Sequence, residues 1–130
     1  MREKHYFTRQ NDESLIIIPC VIDEDPFTVA LDTGASHSVM DLTPLLMSGY
    51  EIKNALRKVP LEAASGIIEA YIFKLQSFTS LGITHKDMEI CAYDFYAHHV
   101  LAEFDGVLGL DFFKKHTFCI NLYKQLITIR

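Results

Sequence analysis

The chain has 130 residues, 49% of them hydrophobic and 22% charged, with a net charge of −5 at neutral pH. That is enough for one domain with its own core, residues 1–130, and too apolar for a disordered chain. The acidic balance and the lack of a basic stripe give no support for nucleic-acid binding, and the longest apolar stretch, residues 15–22, is too short to span a bilayer.

Residues 1–14 are polar apart from Tyr6 and Phe7 and read as a loosely ordered arm with a short strand at 5–8. They lead into no apolar signal region, so a full-length chain is expected in the cytoplasm, whereas a trimmed one leaves the compartment open. Residues 15–22 are rich in β-branched side chains and form a buried strand, with Pro19 marking an edge or a bulge. A turn is expected at 23–26. Phe27, Val29 and Leu31 then alternate with Thr28 and Ala30, the period of a strand with one buried face.

A short strand restarts at 38–40. Thr43 as cap, Pro44 in the first turn and Gly49 as stop predict a short helix, followed by a polar connection at 51–58. Residues 59–75 form a hairpin with its tip at Ala64, Ser65 and Gly66. Another strand pair covers 78–95, with a polar turn at His85, Lys86 and Asp87. Residues 96–103 are a loop rich in aromatic and histidine residues. Asp105 and Gly106 mark a turn, 107–110 are apolar and buried, and Asp111 caps a short helix at 112–116. A last hairpin joins 117–122 to 126–130.

Cys20, Cys91 and Cys119 are odd in number, match no zinc spacing and sit among apolar residues, so three buried free thiols are expected. His98 and His99 are adjacent. On a strand they point to opposite faces and do not chelate one ion, so no metal is expected, and no cofactor.

The chemistry concentrates where the strand from Phe27 ends, in Asp32-Thr33-Gly34-Ala35-Ser36. A carboxylate at the end of an apolar strand needs donors for its charged form. Gly34 lets backbone N–H groups approach it, and the hydroxyls of Thr33 and Ser36 are further donors.

This motif resembles the active-site loop of retropepsin-like aspartic proteases. A second block, Phe104-Asp105-Gly106-Val107-Leu108-Gly109-Leu110-Asp111-Phe112-Phe113, resembles the family's downstream segment, two apolar residues and a glycine followed by a short helix. The resemblance implies a mostly β, single-lobe acid-protease barrel with one or two short helices. It implies an aspartic endopeptidase acting on peptide or protein substrates. Such enzymes use two carboxylates that share a proton, one activating a water and the other protonating the substrate carbonyl. This chain has one Asp-Thr-Gly, so the second carboxylate requires a second copy, and a homodimer is expected with one Asp32 from each subunit.

By the same resemblance Thr33 bonds across the twofold, Gly34 permits the tight loop, and Ser36 supports the carboxylates. Ala35 and Ser36 border the substrate, and the tip at Ala64, Ser65 and Gly66 is the flap that closes over it. The family joins subunits through terminal strands, for which residues 126–130 could serve. The alternative is a catalytically silent member that binds peptides or proteins without cutting them.

Overall fold

The computed structural model describes residues 3–63 and 66–130. The strands are β1 (Glu3–Tyr6), β2 (Ile17–Ile22), β3 (Asp25–Leu31), β4 (Val39–Asp41), β5 (Arg57–Ala63), β6 (Gly66–Ser80), β7 (Ile83–Tyr93), β8 (Gly106–Leu108), β9 (Phe118–Asn121) and β10 (Leu126–Ile129). One α-helix, α1 (Leu42–Met47), and short 3-10 turns at Ile52–Asn54, Tyr96–His98 and Leu110–Phe113 complete the chain. The fold is mostly β, as the resemblance implies. Seven strands form one sheet in the order β2-β3-β8-β4-β7-β6-β5, and β2 closes it into a barrel by pairing with β6 at Val21 and Ile22. The second sheet has the order β1-β10-β9.

The period-two pattern of β3 holds only as far as Val29, because Ala30 is buried as well and Leu31 is half-buried. Phe27 and Val29 are buried on either side of exposed Thr28. They pack with Met40, Leu45, Phe73, Leu75, Phe78, Leu108, Phe112 and Ile127 into a continuous core. Burying each such side chain stabilises the fold by about 1.5–3 kcal/mol.

Pro19 lies opposite Thr28. Leu31 donates to Ile16 O at 2.8 Å, and bonded pairs in an antiparallel ladder alternate. Pro19 therefore occupies a non-bonded position, where its missing N–H costs nothing. It also precedes the point where β6 joins β2, which makes it an edge residue there.

Several turns differ from expectation. β2 and β3 are joined by only Asp23 and Glu24, since Ile22 already pairs with Asp25. Asp23 takes a positive φ of 57°. Its carboxylate accepts bonds from Tyr50 OH at 2.7 Å and Ser77 N–H at 3.2 Å. Burial, reinforced by the Asp23 bond, raises the Tyr50 pKa, so the phenol stays a donor.

The expected turn at His85–Asp87 is the middle of a strand. The chain reverses at Leu81 and Gly82, whose φ values of 52° and 74° are those of a two-residue hairpin loop. Helix α1 begins after Asp41, not Thr43, and Asp41 makes no side-chain capping bond. Its end matches the sequence. Gly49 takes φ 115°, and Gly49 and Tyr50 donate to Leu46 O and Leu45 O, closing the last turn.

His98 and His99 are not on a strand. His98 ends a 3-10 turn and meets the Tyr93 ring edge-on at 5.8 Å, and His99 is left-handed at φ 63°. Among the described residues no helix is long and apolar enough to cross a membrane.

Cys20 and Cys91 are buried, but Cys119 is exposed, which corrects the expectation of three buried thiols. The outward position of Cys119 follows from its strand, where Phe118 and Ile120 take the core side. Burial, with a smaller contribution from Asp105, pushes the Cys20 thiol up to about 12, and burial also raises Cys91. Thiolate is the reactive form. A disulfide reagent at neutral pH should therefore modify one thiol per native chain, Cys119, and all three after denaturation. Rapid modification of two or three native thiols would contradict the burial described here.

Candidate active site

The loop that follows β3 is held from below by β8. β3 and β4, the strands on either side of the loop, do not pair with each other. β8 lies between them, parallel to β3 and antiparallel to β4. Close packing of β8 requires glycine at its start. A Cβ on Gly106 would come within 2.6 Å of Val39 O. Asp105 was expected only to mark a turn. In fact its Oδ2 accepts the Thr28 N–H at 2.9 Å, and its own N–H bonds Thr28 O at 2.8 Å. Those bonds fix β8 beside β3.

Asp32 stands at the exposed end of β3. Its N–H bonds Leu108 O at 3.0 Å, which ties it to β8. Its carboxylate Oδ1 accepts the Gly34 N–H at 2.9 Å, and Ala35 N–H bonds Asp32 O at 3.2 Å. Gly34 therefore supplies the backbone donor the sequence anticipated. Among the described residues no side-chain donor reaches the carboxylate. Thr33 is exposed, Ala35 half-buried, and the Ser36 hydroxyl sits 3.0 Å from His37 Nδ1 instead of Asp32. The expected support of Asp32 by Ser36 is absent within one chain, because the loop turns Ser36 toward its neighbour. His37 had drawn no attention in the sequence. Its place in the same exposed loop was the available signal.

The far side of the loop is locked to the second block. Leu110 N–H donates to Ala35 O at 2.8 Å. Ser38 is 1% exposed. Its Oγ donates to Asp111 Oδ1 at 2.7 Å and accepts Gly109 N–H at 3.0 Å, while Ser38 N–H also reaches Asp111 Oδ1 at 2.9 Å. Asp111 thus braces the loop and does not cap a helix. The 3-10 turn runs over Leu110–Phe113 and has no side-chain cap. Leu110, expected to be buried, is 45% exposed.

The second hairpin has Ala63 opposite Gly66, and Gly66 takes a φ of 117°. Of the three expected tip residues, Ala64 and Ser65 lie outside the described residues, and Gly66 is exposed. A cleft of about 370 Å³ is lined among others by Arg9, Leu15, Ile17, Leu101 and Phe104. Ile17 pairs with Ala30, two residues before Asp32, so the cleft adjoins the strand that carries the carboxylate.

The family model described as aspartyl protease matches residues 18–112, which takes in the first block and all of the second but Phe113. Among solved structures, a retropepsin-like aspartic protease from Rickettsia conorii superposes with a TM-score of 0.70 at 15% identity, covering 99% of this chain and 91% of that one. The protease of EIAV, solved in complex with the inhibitor HBY-793, gives 0.57 at 20% identity, covering 80% and 89%. The retroviral protease-like domain of Ddi1 from Leishmania major gives 0.54 at 18% identity, covering 85% and 83%. No curated protein sequence matches the chain. At these identities the structures speak for the fold, and the family match carries the assignment: this chain belongs to the aspartyl protease family and has the retropepsin-like fold.

Proposed function

We propose that this protein is an aspartic endopeptidase, with residues 1–130 as its protease domain and an active site formed by two copies of the chain. The observation that carries the reading is the setting of Asp32. It is an exposed carboxylate on a loop braced from two sides by β8 and Asp111, and one of its oxygens is held by a backbone N–H. Such bracing fixes the position of a group that has to meet a second carboxylate and a water within hydrogen-bond range.

In this reading a twofold axis brings the two Asp32 carboxylates together. Like charges that close do not both ionise, so the pair holds one shared proton. The ionised member takes a proton from the attacking water, and the protonated member gives its own to the substrate carbonyl oxygen. Gly34 holds the carboxylate orientation. Thr33 faces the axis, and Ala35, Ser36 and Gly66 border the bound peptide.

The test is subunit mixing. Wild-type chains are equilibrated with an excess of Asp32→Asn chains, and cleavage of a peptide library is followed. If each site spans two chains, mixed dimers are inactive and the rate falls with the square of the wild-type fraction. A rate that stayed proportional to wild-type chain alone would show a site complete within one chain.

A further inference from the structure

The brace on the Asp32 loop is itself held from outside the loop. Leu110 and Asp111, which bond Ala35 and Ser38, belong to the 3-10 turn Leu110–Phe113. Short 3-10 turns have poorer hydrogen-bond geometry than an α-helix. The position of this one therefore depends on what it packs against.

It packs against β7. His85 Nε2 lies 2.6 Å from Phe112 O. A carbonyl only accepts, so Nε2 carries the proton and donates it. Among the described residues no backbone N–H outside the turn reaches that oxygen. The His85 ring also meets the Phe112 ring edge-on, with centroids 4.7 Å apart. Phe78, directly across the ladder from His85, lies 5.0 Å from the same ring. Phe112 is fully buried and His85 half-buried. A buried carbonyl needs a partner, and the imidazole is that partner.

The same strand reaches the loop a second time. β7 pairs with β4 at Cys91, Ala92 and Tyr93, opposite Val39, Met40 and Asp41. β4 is the strand into which the loop runs after Ser38. His85 and Cys91 lie about 20 Å apart along an extended strand. Between them β7 is laddered to β6. One strand thus holds the exit of the loop by backbone pairing and the turn that braces it by a single side chain.

We propose that His85 is a positioning residue for the Asp32 loop. Its Nε2–H holds Phe112 O, which fixes the turn. The turn fixes Asp111, and Asp111 fixes Ser38 and the loop before it. The proposal rests on the aspartic protease reading of Asp32. It adds a residue that acts through others and not on the reacting atoms. In the sequence His85 was legible only as part of an expected polar turn.

The experiment uses the full chain as wild type, His85→Phe and His85→Gln. Phenylalanine keeps a ring against Phe112 and removes the donor. Glutamine restores an N–H donor at a reach similar to that of Nε2. The measurements are kcat and KM on a peptide from a cleaved library, and backbone amide exchange at Ser38, Gly109 and Leu110. Those three N–H groups make the brace. Ile127, buried in the small sheet, is the reference for global opening.

His85→Phe should lower kcat by about 10²-fold, the cost of a catalytic geometry misplaced by roughly 1 Å. KM should stay unchanged, because the lost interaction serves the chemical step. Exchange should speed up at the three brace amides and not at Ile127. His85→Gln should restore both kcat and exchange. His85→Asn, whose amide falls one methylene short, replaces His85→Phe if that variant does not fold, with the same losses expected. Faster exchange with unchanged kcat, lower kcat with unchanged exchange, or no rescue by glutamine would overturn the role of His85 and leave the protease reading standing. A wild type that cleaves no peptide would overturn that reading, and the positioning role with it.

Discussion

Asp32→Asn leaves the barrel folded and abolishes peptide hydrolysis. Asp32 is exposed, and the bond from Gly34 N–H can be accepted equally by an amide oxygen. The exchange therefore removes little from the fold. It removes the loop's one carboxylate, the group that in this reading takes and gives a proton at the reacting centre. General acid–base catalysis by a positioned group contributes roughly 10²–10⁴-fold. With both copies altered, the loss should be at the upper end of that range or beyond. The measurement is kcat/KM on one peptide from a cleaved library, with melting temperature as control. Equal cleavage by both proteins would remove Asp32 from the mechanism.

Gly109→Ala should unsettle the same loop from beneath. A Cβ at position 109 would lie 2.7 Å from Ala35 O and 2.8 Å from both His37 C and O. All three are backbone atoms of the loop, so no side-chain rotation relieves the overlap. Ala35 O is fixed by Leu110 N–H, and Gly109 N–H is itself bonded to Ser38 Oγ. Relief requires moving the loop away from β8 and stretching those bonds. Overpacking of this kind costs about 1–3 kcal/mol or more, and a buried bond broken with it roughly 1–3 kcal/mol further. We expect a loss of about 3 kcal/mol in denaturant titrations, together with a large fall in activity. Leu110→Ala, at an exposed neighbour, is the control. A change below about 0.5 kcal/mol for Gly109→Ala would mean that the end of β8 does not fix the loop.

The two substitutions reach the site by different routes, and the sequence reveals the two routes unequally. Asp32 is legible because it ends an alternating strand and is followed by the residues that solvate it. Gly109 is legible only as part of a block with a resemblance. Its role comes from the approach of residues more than seventy positions earlier in the chain. The Gly49 stop of α1 was read correctly because a left-handed helix end depends on one residue and its neighbours. The start of α1 was misplaced because β4 pairs with β7 up to Asp41 and then hands the chain straight into the helix. The turn at Leu81 and Gly82 was missed for a similar reason. Leucine is a poor marker of positive φ, and the register of β6 against β7 sets the reversal there.

What periodicity and local chemistry decide in this chain is the set of strands, the end of the helix and the exposed carboxylate with its glycine. These depend on interactions over a few residues, so they leave a pattern along the sequence. The tertiary structure alone decides which distant groups meet. It turns Asp111 from a helix cap into the brace of Ser38 and Asp105 from a turn marker into the tie on Thr28. It also closes both edges of β10 and leaves β9 open. A carboxylate carries no local mark of the donor it will accept, and a strand carries none of how many neighbours it will have. Both follow from the packing of the whole barrel.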